Sequence, residues 1–205
     1  MPTLVIDGKV TTDTINILDL LAARFGTTNH CFETSAVERA LVNYWVDKAA
    51  ELFIEALTYG LVEGVKKPFP IGNASESGRS HQDKVDLLTR LVETYKKDPT
   101  LKAAYEKKRA VTETTQEAMV TPGQMSAIVD ATRVELEELA NQLASGQFAD
   151  GGWLASDAFS LADVQWGAVL YRLQWVGLQP LLWEKGSIIS AYAEKLFAKA
   201  SFQTG

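Results

Sequence analysis

The pattern of apolar and polar positions predicts one short β-hairpin at the start of the chain. Leu4 to Ile6 form a short apolar run, and residues 9–12 form a second candidate strand. Asp7-Gly8 between them is a strong two-residue turn signal, because glycine tolerates the positive φ that such a turn requires. A two-stranded hairpin is marginal by itself, so we expect a helix or further strands to cover it.

After the hairpin, capping residues and apolar spacing predict helices almost to the end of the chain. Seven helices are expected, starting near Asp13, Ser35, residue 81, Asp98, Thr121, Ser160 and residue 187. The second of them is predicted to continue to about Tyr59, with Gly60 as its stop. Residues 64–80 and 146–159, rich in glycine and interrupted by polar residues, are expected to be loops. The pattern therefore predicts a mainly α fold.

Composition narrows the class of protein. Apolar residues make up 46% of the 205 positions, which is ordinary for a globular chain. The 26 acidic against 20 basic residues give a net charge of −6, which argues against a nucleic-acid partner. Lys66-Lys67 and Lys96-Lys97 are expected to be isolated solvated pairs, and residues 107–109 an exposed helix face. No apolar run is long enough to span a bilayer and no signal peptide is recognisable, so we expect a cytoplasmic protein without a membrane partner.

The segment around Ser160 is the most specific local motif. Ser160 stands three residues before Asp163, the spacing of a capping box in which each residue satisfies a backbone N–H of the other. We expect the Asp163 carboxylate to accept from the Ser160 N–H and the Ser160 hydroxyl to accept from the Asp163 N–H. Such a box fixes the start of a helix, so its predicted role is structural.

This motif also carries a resemblance. Residues 159–163, Phe-Ser-Leu-Ala-Asp, resemble the F-S-x-A-D box in the C-terminal domain of glutathione transferases. Pro2 with the apolar strand after it, and Asp13-Thr14 with Ile17, resemble that family's V-P-x-L strand and E/D-S-x-x-I helix start. The run from Gly151 to Trp166 is similar to the bacterial subgroup that contains tetrachlorohydroquinone reductive dehalogenase. The resemblance implies a remnant of a thioredoxin-like domain over residues 1–26 and an all-helical domain over residues 27–205.

The resemblance also implies a glutathione site. In the family, the backbone before a cis proline pairs with the cysteinyl part of glutathione, which here corresponds to Met1 and Pro2. The acid and hydroxyl at the helix start bind the γ-glutamyl end, which corresponds to Asp13 and Thr14. A helix N-terminus attracts a carboxylate through its free N–H groups and its dipole, so this arrangement is chemically reasonable.

The implied activity is attack by the glutathione thiolate on an electrophilic carbon, in this subgroup of a halogenated ring or an aryl ether. The family's apolar substrate pocket lies on the first long helix of the helical domain and the helix after the capping box. Tyr44, Trp45 and Trp166 are the candidates for it here, although a core position is the simpler explanation for each of them. The resemblance further implies a homodimer. We expect no metal site, because one cysteine and two histidines are too few for a usual ligand set.

One departure leaves the enzyme assignment open. Family members carry a βαβ unit, with the catalytic Tyr, Ser or Cys, ahead of the position of Pro2, where this chain starts. We therefore expect a truncated chain and assign no catalytic residue. Cys31 beside His30 is more simply an inert structural thiol than a replacement nucleophile. The alternative to an enzyme is a non-catalytic binding or scaffold module of the same fold.

Overall fold

The computed structural model describes residues 3–12, 14–25, 36–68, 74–145 and 147–203. Within these residues the fold is mainly α, as predicted, with a single two-stranded sheet. The strands are β1 (Thr3–Ile6) and β2 (Lys9–Thr12). The helices are α1 (Thr14–Phe25), α2 (Ala36–Glu51), α3 (Ile54–Tyr59), α4 (Ala74–Thr94), α5 (Pro99–Val120), α6 (Gln124–Ser145), α7 (Leu161–Trp175), α8 (Gln179–Leu182), α9 (Ile188–Phe197) and α10 (Ala200–Gln203), with a 3-10 turn at Gln147–Asp150.

The predicted hairpin is confirmed in its strands and its turn. β1 and β2 pair antiparallel with Val5 opposite Val10 and Ile6 opposite Lys9. Asp7 and Gly8 form the two-residue connection with φ of 51° and 75°. Two successive positive φ angles are those of a type I′ turn, whose twist matches the twist of the paired strands.

Several helix ends follow their predicted local signals. Asp98 caps α5, and its Oδ1 accepts from the backbone N–H groups of Thr100 and Leu101 at 3.0 Å each. Pro99 occupies the first turn, where a missing N–H costs nothing. α6 begins at Gln124, whose N–H donates to the backbone carbonyl of Thr121. A backbone turn from Thr121 therefore precedes α6, which starts three residues after the predicted position.

Two predicted boundaries are wrong. The single helix expected from Ser35 to Tyr59 is two helices, because Phe53 has a non-helical ψ of 54° between α2 and α3. No proline or glycine marks this break, and burial of Ala56 and Leu57 at the start of the new helix accompanies it. α4 begins at Ala74, earlier than the predicted start near residue 81. The predicted domain boundary after residue 26 lies outside the described residues and stays a prediction.

The chain divides into two compact units. The first comprises the described residues within Met1–Glu51, Glu138–Val169 and Gly186–Gly205. Its core is built from aromatic and leucine side chains. The largest that are fully buried are Trp45, Leu139, Leu143, Leu154, Trp166, Tyr192 and Leu196. Gly167 on α7 lets the chain approach closely, because a Cβ there would meet the ring of Phe202 at 2.5 Å.

The second unit comprises the described residues within Leu52–Glu137 and Leu170–Lys185. The long helices α4 and α5 pack against each other as an antiparallel pair, joined by the short turn at residues 95–98. Gly60 ends α3 where a Cβ would meet Met125 Sδ at 2.5 Å, so the position has no room for a side chain. The Arg133 Nε–H of α6 donates to the carbonyl of Leu181 at 2.7 Å.

Lys67 overturns the prediction that the Lys66-Lys67 pair is solvated. Its ammonium donates to the carbonyl of Thr58 at 3.1 Å and also to that of Leu57, at the end of α3. Carbonyls in the last turn of a helix lack backbone partners, so a lysine there is a favourable cap. Burial nevertheless lowers the pKa of Lys67 to about 8.

No helix in the described part of the chain is both long enough and apolar enough to cross a membrane.

Candidate functional site

Helix α2 places an aromatic and a basic side chain together on the surface of the first unit. Tyr44 and Lys48 are four residues apart and therefore neighbours on one helix face. Tyr44 is 43% exposed, and the Lys48 ammonium lies 5.7 Å from the centroid of its ring. Trp45, the next residue, points into the core and is only 2% exposed. One turn of α2 thus carries a surface pair and a core aromatic side by side.

Glu138 on α6 joins this surface pair. The Tyr44 hydroxyl donates to Oε1 of Glu138, and the Lys48 ammonium donates to Oε2 at 3.0 Å. One carboxylate therefore links a phenol and an ammonium into a polar cluster of Tyr44, Lys48 and Glu138, which we call the α2–α6 cluster. All three side chains retain contact with solvent.

The shared hydrogen bonds move the pKa values of the cluster apart. The hydrogen bond to Glu138, followed by partial burial, raises the pKa of Tyr44 above its usual value of 10.0. The hydrogen bonds from Tyr44 and then Lys48 lower the pKa of Glu138. At neutral pH the cluster therefore holds a neutral phenol and an ionised carboxylate. Chemically, it offers an aromatic face beside a hydrogen-bond donor and acceptor.

The structure brings the three predicted pocket residues into one chain of rings. Tyr44 and Trp45 meet edge to face with centroids 5.3 Å apart, and Trp45 and Trp166 do so at 6.0 Å. Trp45 and Trp166 are buried, and the Trp166 indole N–H donates to the Trp45 carbonyl at 2.9 Å. Within the described residues the buried Nε1 of Trp45 has no acceptor. Of the three, Tyr44 alone presents its ring to solvent.

The Ser160–Asp163 box contains more hydrogen bonds than its motif predicts. Asp163 is fully buried, and its Oδ2 accepts from the Ser160 N–H at 2.8 Å. The Ser160 hydroxyl donates to the same oxygen at 2.7 Å, where we expected it to accept from the Asp163 N–H. Oδ1 accepts from the Leu154 N–H at 3.1 Å and from the Tyr192 hydroxyl at 2.7 Å. Four donors therefore converge on one buried carboxylate.

The buried environment of this box changes the pKa of Tyr192. Burial, and then the charge and hydrogen bond of Asp163, raise the pKa of Tyr192 well above its usual value of 10.0. A buried phenol that donates to a carboxylate holds three separate segments together, namely the loop before α7, the start of α7, and α9. Nothing in this group is open to a ligand, so its chemistry is structural.

The predicted glutathione residues are described only in part. Met1, Pro2 and Asp13, like Cys31 and His30, lie outside the described residues. Thr14 is the first residue of α1 and is exposed, at a helix end whose first N–H groups lack intrahelical acceptors. No group of three or more His, Cys, Asp or Glu side chains that could hold a metal occurs among the described residues.

Sequence reasoning missed three side chains that the structure makes important. Lys48 had a weak signal, since it lies one helical turn after Tyr44. Glu138 had none, because it is 94 positions away from Tyr44 along the chain. Tyr192 lies 29 positions after Asp163 and could not be linked to the box by local spacing.

The chain is similar in sequence to proteins that are named as reductive dehalogenases or dechlorinases. It is 25% identical over 207 aligned positions to tetrachloro-p-hydroquinone reductive dehalogenase of Sphingobium chlorophenolicum, covering 100% of this chain and 73% of that protein. It is 31% identical over 124 positions to 2,5-dichlorohydroquinone reductive dechlorinase of Sphingobium indicum. That match covers 59% of this chain and only 35% of the length of the relative.

A third relative comes from animals. Ganglioside-induced differentiation-associated protein 1-like 1 of Mus musculus is 42% identical over 67 residues, which is 32% of this chain and 17% of that protein. No family model matches the chain. The relationship therefore rests on pairwise sequence similarity. The alignment with the S. chlorophenolicum protein covers the whole of this chain.

Proposed function

Because the chain is related to the glutathione transferase family, we propose that it serves glutathione-dependent dehalogenation of an apolar aromatic compound. The glutathione thiolate attacks a ring carbon that bears a halogen, a carbon–sulfur bond forms, and halide leaves with the electrons of the broken bond. The observation that carries the proposal is the match of the entire chain to a reductive dehalogenase of a chlorinated hydroquinone.

The α2–α6 cluster is our candidate for the surface that receives the aromatic substrate. Tyr44 supplies an exposed ring for stacking, and the buried rings of Trp45 and Trp166 support it from the core side. Lys48 and Glu138 supply a donor and an acceptor at the edge of that ring. A hydroxylated, halogenated ring needs this combination of an apolar face and a few polar partners.

For glutathione, we propose that the start of α1 receives the γ-glutamyl carboxylate. Thr14 is exposed there, and the start of a helix attracts an anion through its dipole and its N–H groups. Met1, Pro2 and Asp13 complete the proposed site. A homodimer and a cytoplasmic location accompany the proposal, and each follows from the relationship to the family.

The test measures chloride release and glutathione adducts after mixing the purified chain with glutathione and tetrachlorohydroquinone. Glu138→Gln is expected to weaken binding of the hydroquinone several-fold, because a neutral amide holds Tyr44 and Lys48 less firmly. Glu137→Gln, an exposed neighbour on the same helix, is the matched control and should leave binding unchanged.

Each outcome has a distinct meaning. Chloride release that depends on the chain and on glutathione supports the dehalogenation proposal. Binding of glutathione or the hydroquinone without turnover supports the alternative, a non-catalytic binding module of the same fold. If the chain binds neither compound by calorimetry, both functions are wrong. Equal losses in Glu138→Gln and Glu137→Gln would exclude the α2–α6 cluster as the substrate surface.

A further inference from the structure

The turn between α4 and α5 concentrates positive charge in an acidic protein. Residues 90–109, which we call the hairpin tip, contain seven lysine and arginine side chains and three carboxylates. The tip therefore has a formal charge of +4, although the whole chain has −6, which leaves −10 for the rest. By sequence alone, Lys96-Lys97 and residues 107–109 are separate solvated features. In the structure they lie in the turn and in the first half of α5, within the second unit.

The three carboxylates of the tip are already engaged. Glu93 pairs with Lys96, and Glu106 pairs with Lys102 at 3.3 Å. Asp98 accepts from two backbone N–H groups as the cap of α5.

Three lysines of the tip remain available for an external anion. Within the part of the chain that the structure describes, Lys97, Lys107 and Lys108 have no ion-pair partner. Lys97 and Lys107 are exposed and Lys108 is half-buried. The charge of the hairpin tip that is not already paired is therefore positive.

Apolar and aromatic groups are interleaved with these lysines. Residues 93–101 are exposed without interruption, so the turn lies on the surface of the second unit. Tyr95 and Leu101 are 38% and 37% exposed, and Tyr95 and Tyr105 lie against each other with ring centroids 5.5 Å apart. Tyrosine is favoured where one end of a side chain is apolar and the other wet, and lysine can place its stem on an apolar surface while its ammonium stays in water.

From this juxtaposition of an exposed basic turn with exposed Tyr95 and Leu101, we propose that the hairpin tip docks peripherally on an anionic lipid bilayer. Clusters of four to eight basic residues beside apolar anchors bind anionic headgroups by electrostatic attraction. Nucleic acid is the second polyanion to consider, and the charge of −10 on the rest of the chain opposes wrapping of it.

The test is sedimentation of the 205-residue chain with large unilamellar vesicles of phosphatidylcholine, alone or with about 30% phosphatidylglycerol. Binding is expected only with the anionic vesicles and should weaken as salt is raised, because screening shortens the range of the attraction. The variant Lys97→Gln/Lys107→Gln/Lys108→Gln should lose roughly a hundredfold in affinity, at about fivefold for each lysine near the surface.

The matched control is Lys9→Gln/Lys66→Gln/Lys185→Gln, which removes the same charge from three exposed lysines outside the tip. It should lose less than a few-fold. Tyr95→Ser/Leu101→Ser should weaken binding by a loss that salt does not change, because it removes the apolar anchors.

Three results would overturn the proposal: no binding to anionic vesicles, equal losses in both lysine variants, or binding to a duplex DNA probe at salt where vesicles are not bound. Circular dichroism of each variant shows whether the helices remain intact. Vesicle binding is measured without glutathione or hydroquinone, so its result is independent of the proposed function.

Discussion

The first unit contains two tyrosine–carboxylate pairs that are chemically alike and physically opposite. Tyr44 donates to Glu138 on the surface, where Lys48 completes the group. Tyr192 donates to Asp163 in the core, where two backbone N–H groups and the Ser160 hydroxyl complete it. A buried polar group without partners costs far more than an exposed one, because water cannot replace the lost hydrogen bonds. The buried pair therefore fixes the fold, while the exposed pair can exchange its partners for those of a ligand.

Replacing the buried carboxylate should have the largest effect. Asp163→Ala leaves the Ser160, Leu154 and Tyr192 donors without their common acceptor, so we expect a loss of about 4 kcal/mol in the free energy of unfolding. Urea denaturation followed by circular dichroism measures this loss. Asp157→Ala, an exposed aspartate before the same helix, should change stability by less than about 0.5 kcal/mol. A loss under about 1 kcal/mol for Asp163→Ala would contradict the structural role of the box.

The second-largest loss of stability is expected when the phenol of the buried pair is removed. Tyr192→Phe keeps the ring and removes one donor from Asp163, which should cost about 2 kcal/mol. The raised pKa of Tyr192 adds a pH signature. Above about pH 10 the unfolded state releases this proton while the folded state keeps it, so stability of the native chain falls as pH rises. In Tyr192→Phe that part of the fall should be absent.

Lys67 extends the comparison to a cation in the second unit. Its folded-state pKa is about 8, below the usual lysine value, so the unfolded state binds more protons between about pH 8 and pH 10. Stability should therefore rise with pH in this window, by about 1 kcal/mol once solvent screening is allowed for. Lys67→Met should remove the rise. An identical pH profile for the variant and the native chain would show that Lys67 is not the titrating group.

The smallest expected change belongs to the exposed pair. Glu138→Gln should lower the pKa of Tyr44 toward its ordinary value, because the hydrogen bond to Glu138 is the main cause of the raised value. Ultraviolet titration of the phenol, compared with the Tyr44→Phe variant to assign the signal, measures the shift. The melting temperature should change less than in any variant above, since water can replace partners at this surface. A large loss of stability would mean that both pairs serve the fold.

Local sequence signals predict most of the secondary structure. They also predict the Ser160–Asp163 contact, which is one part of the hydrogen-bond network around Asp163. The Asp7-Gly8 turn, the Asp98 cap of α5 and the Ser160–Asp163 spacing were all readable because their interactions span two to four residues. The hydroxyl of Ser160 donates where the motif predicts an acceptor. The carboxylate has two further donors, Leu154 and Tyr192, which lie outside the motif and both donate to Oδ1. The partners of that oxygen therefore depend on tertiary packing.

The sequence by itself determined the hairpin, several of the helix starts, the mainly α class and the aromatic residues Tyr44, Trp45 and Trp166 as a group of interest. Only the tertiary structure placed Glu138 against Tyr44, across 94 positions, and Trp166 beneath Trp45, across 121. It also buried part of Lys67 and placed its ammonium against the carbonyls of Leu57 and Thr58. The physical reason is range: caps and turns are satisfied by neighbours along the chain, whereas pairing of distant side chains depends on how whole helices pack.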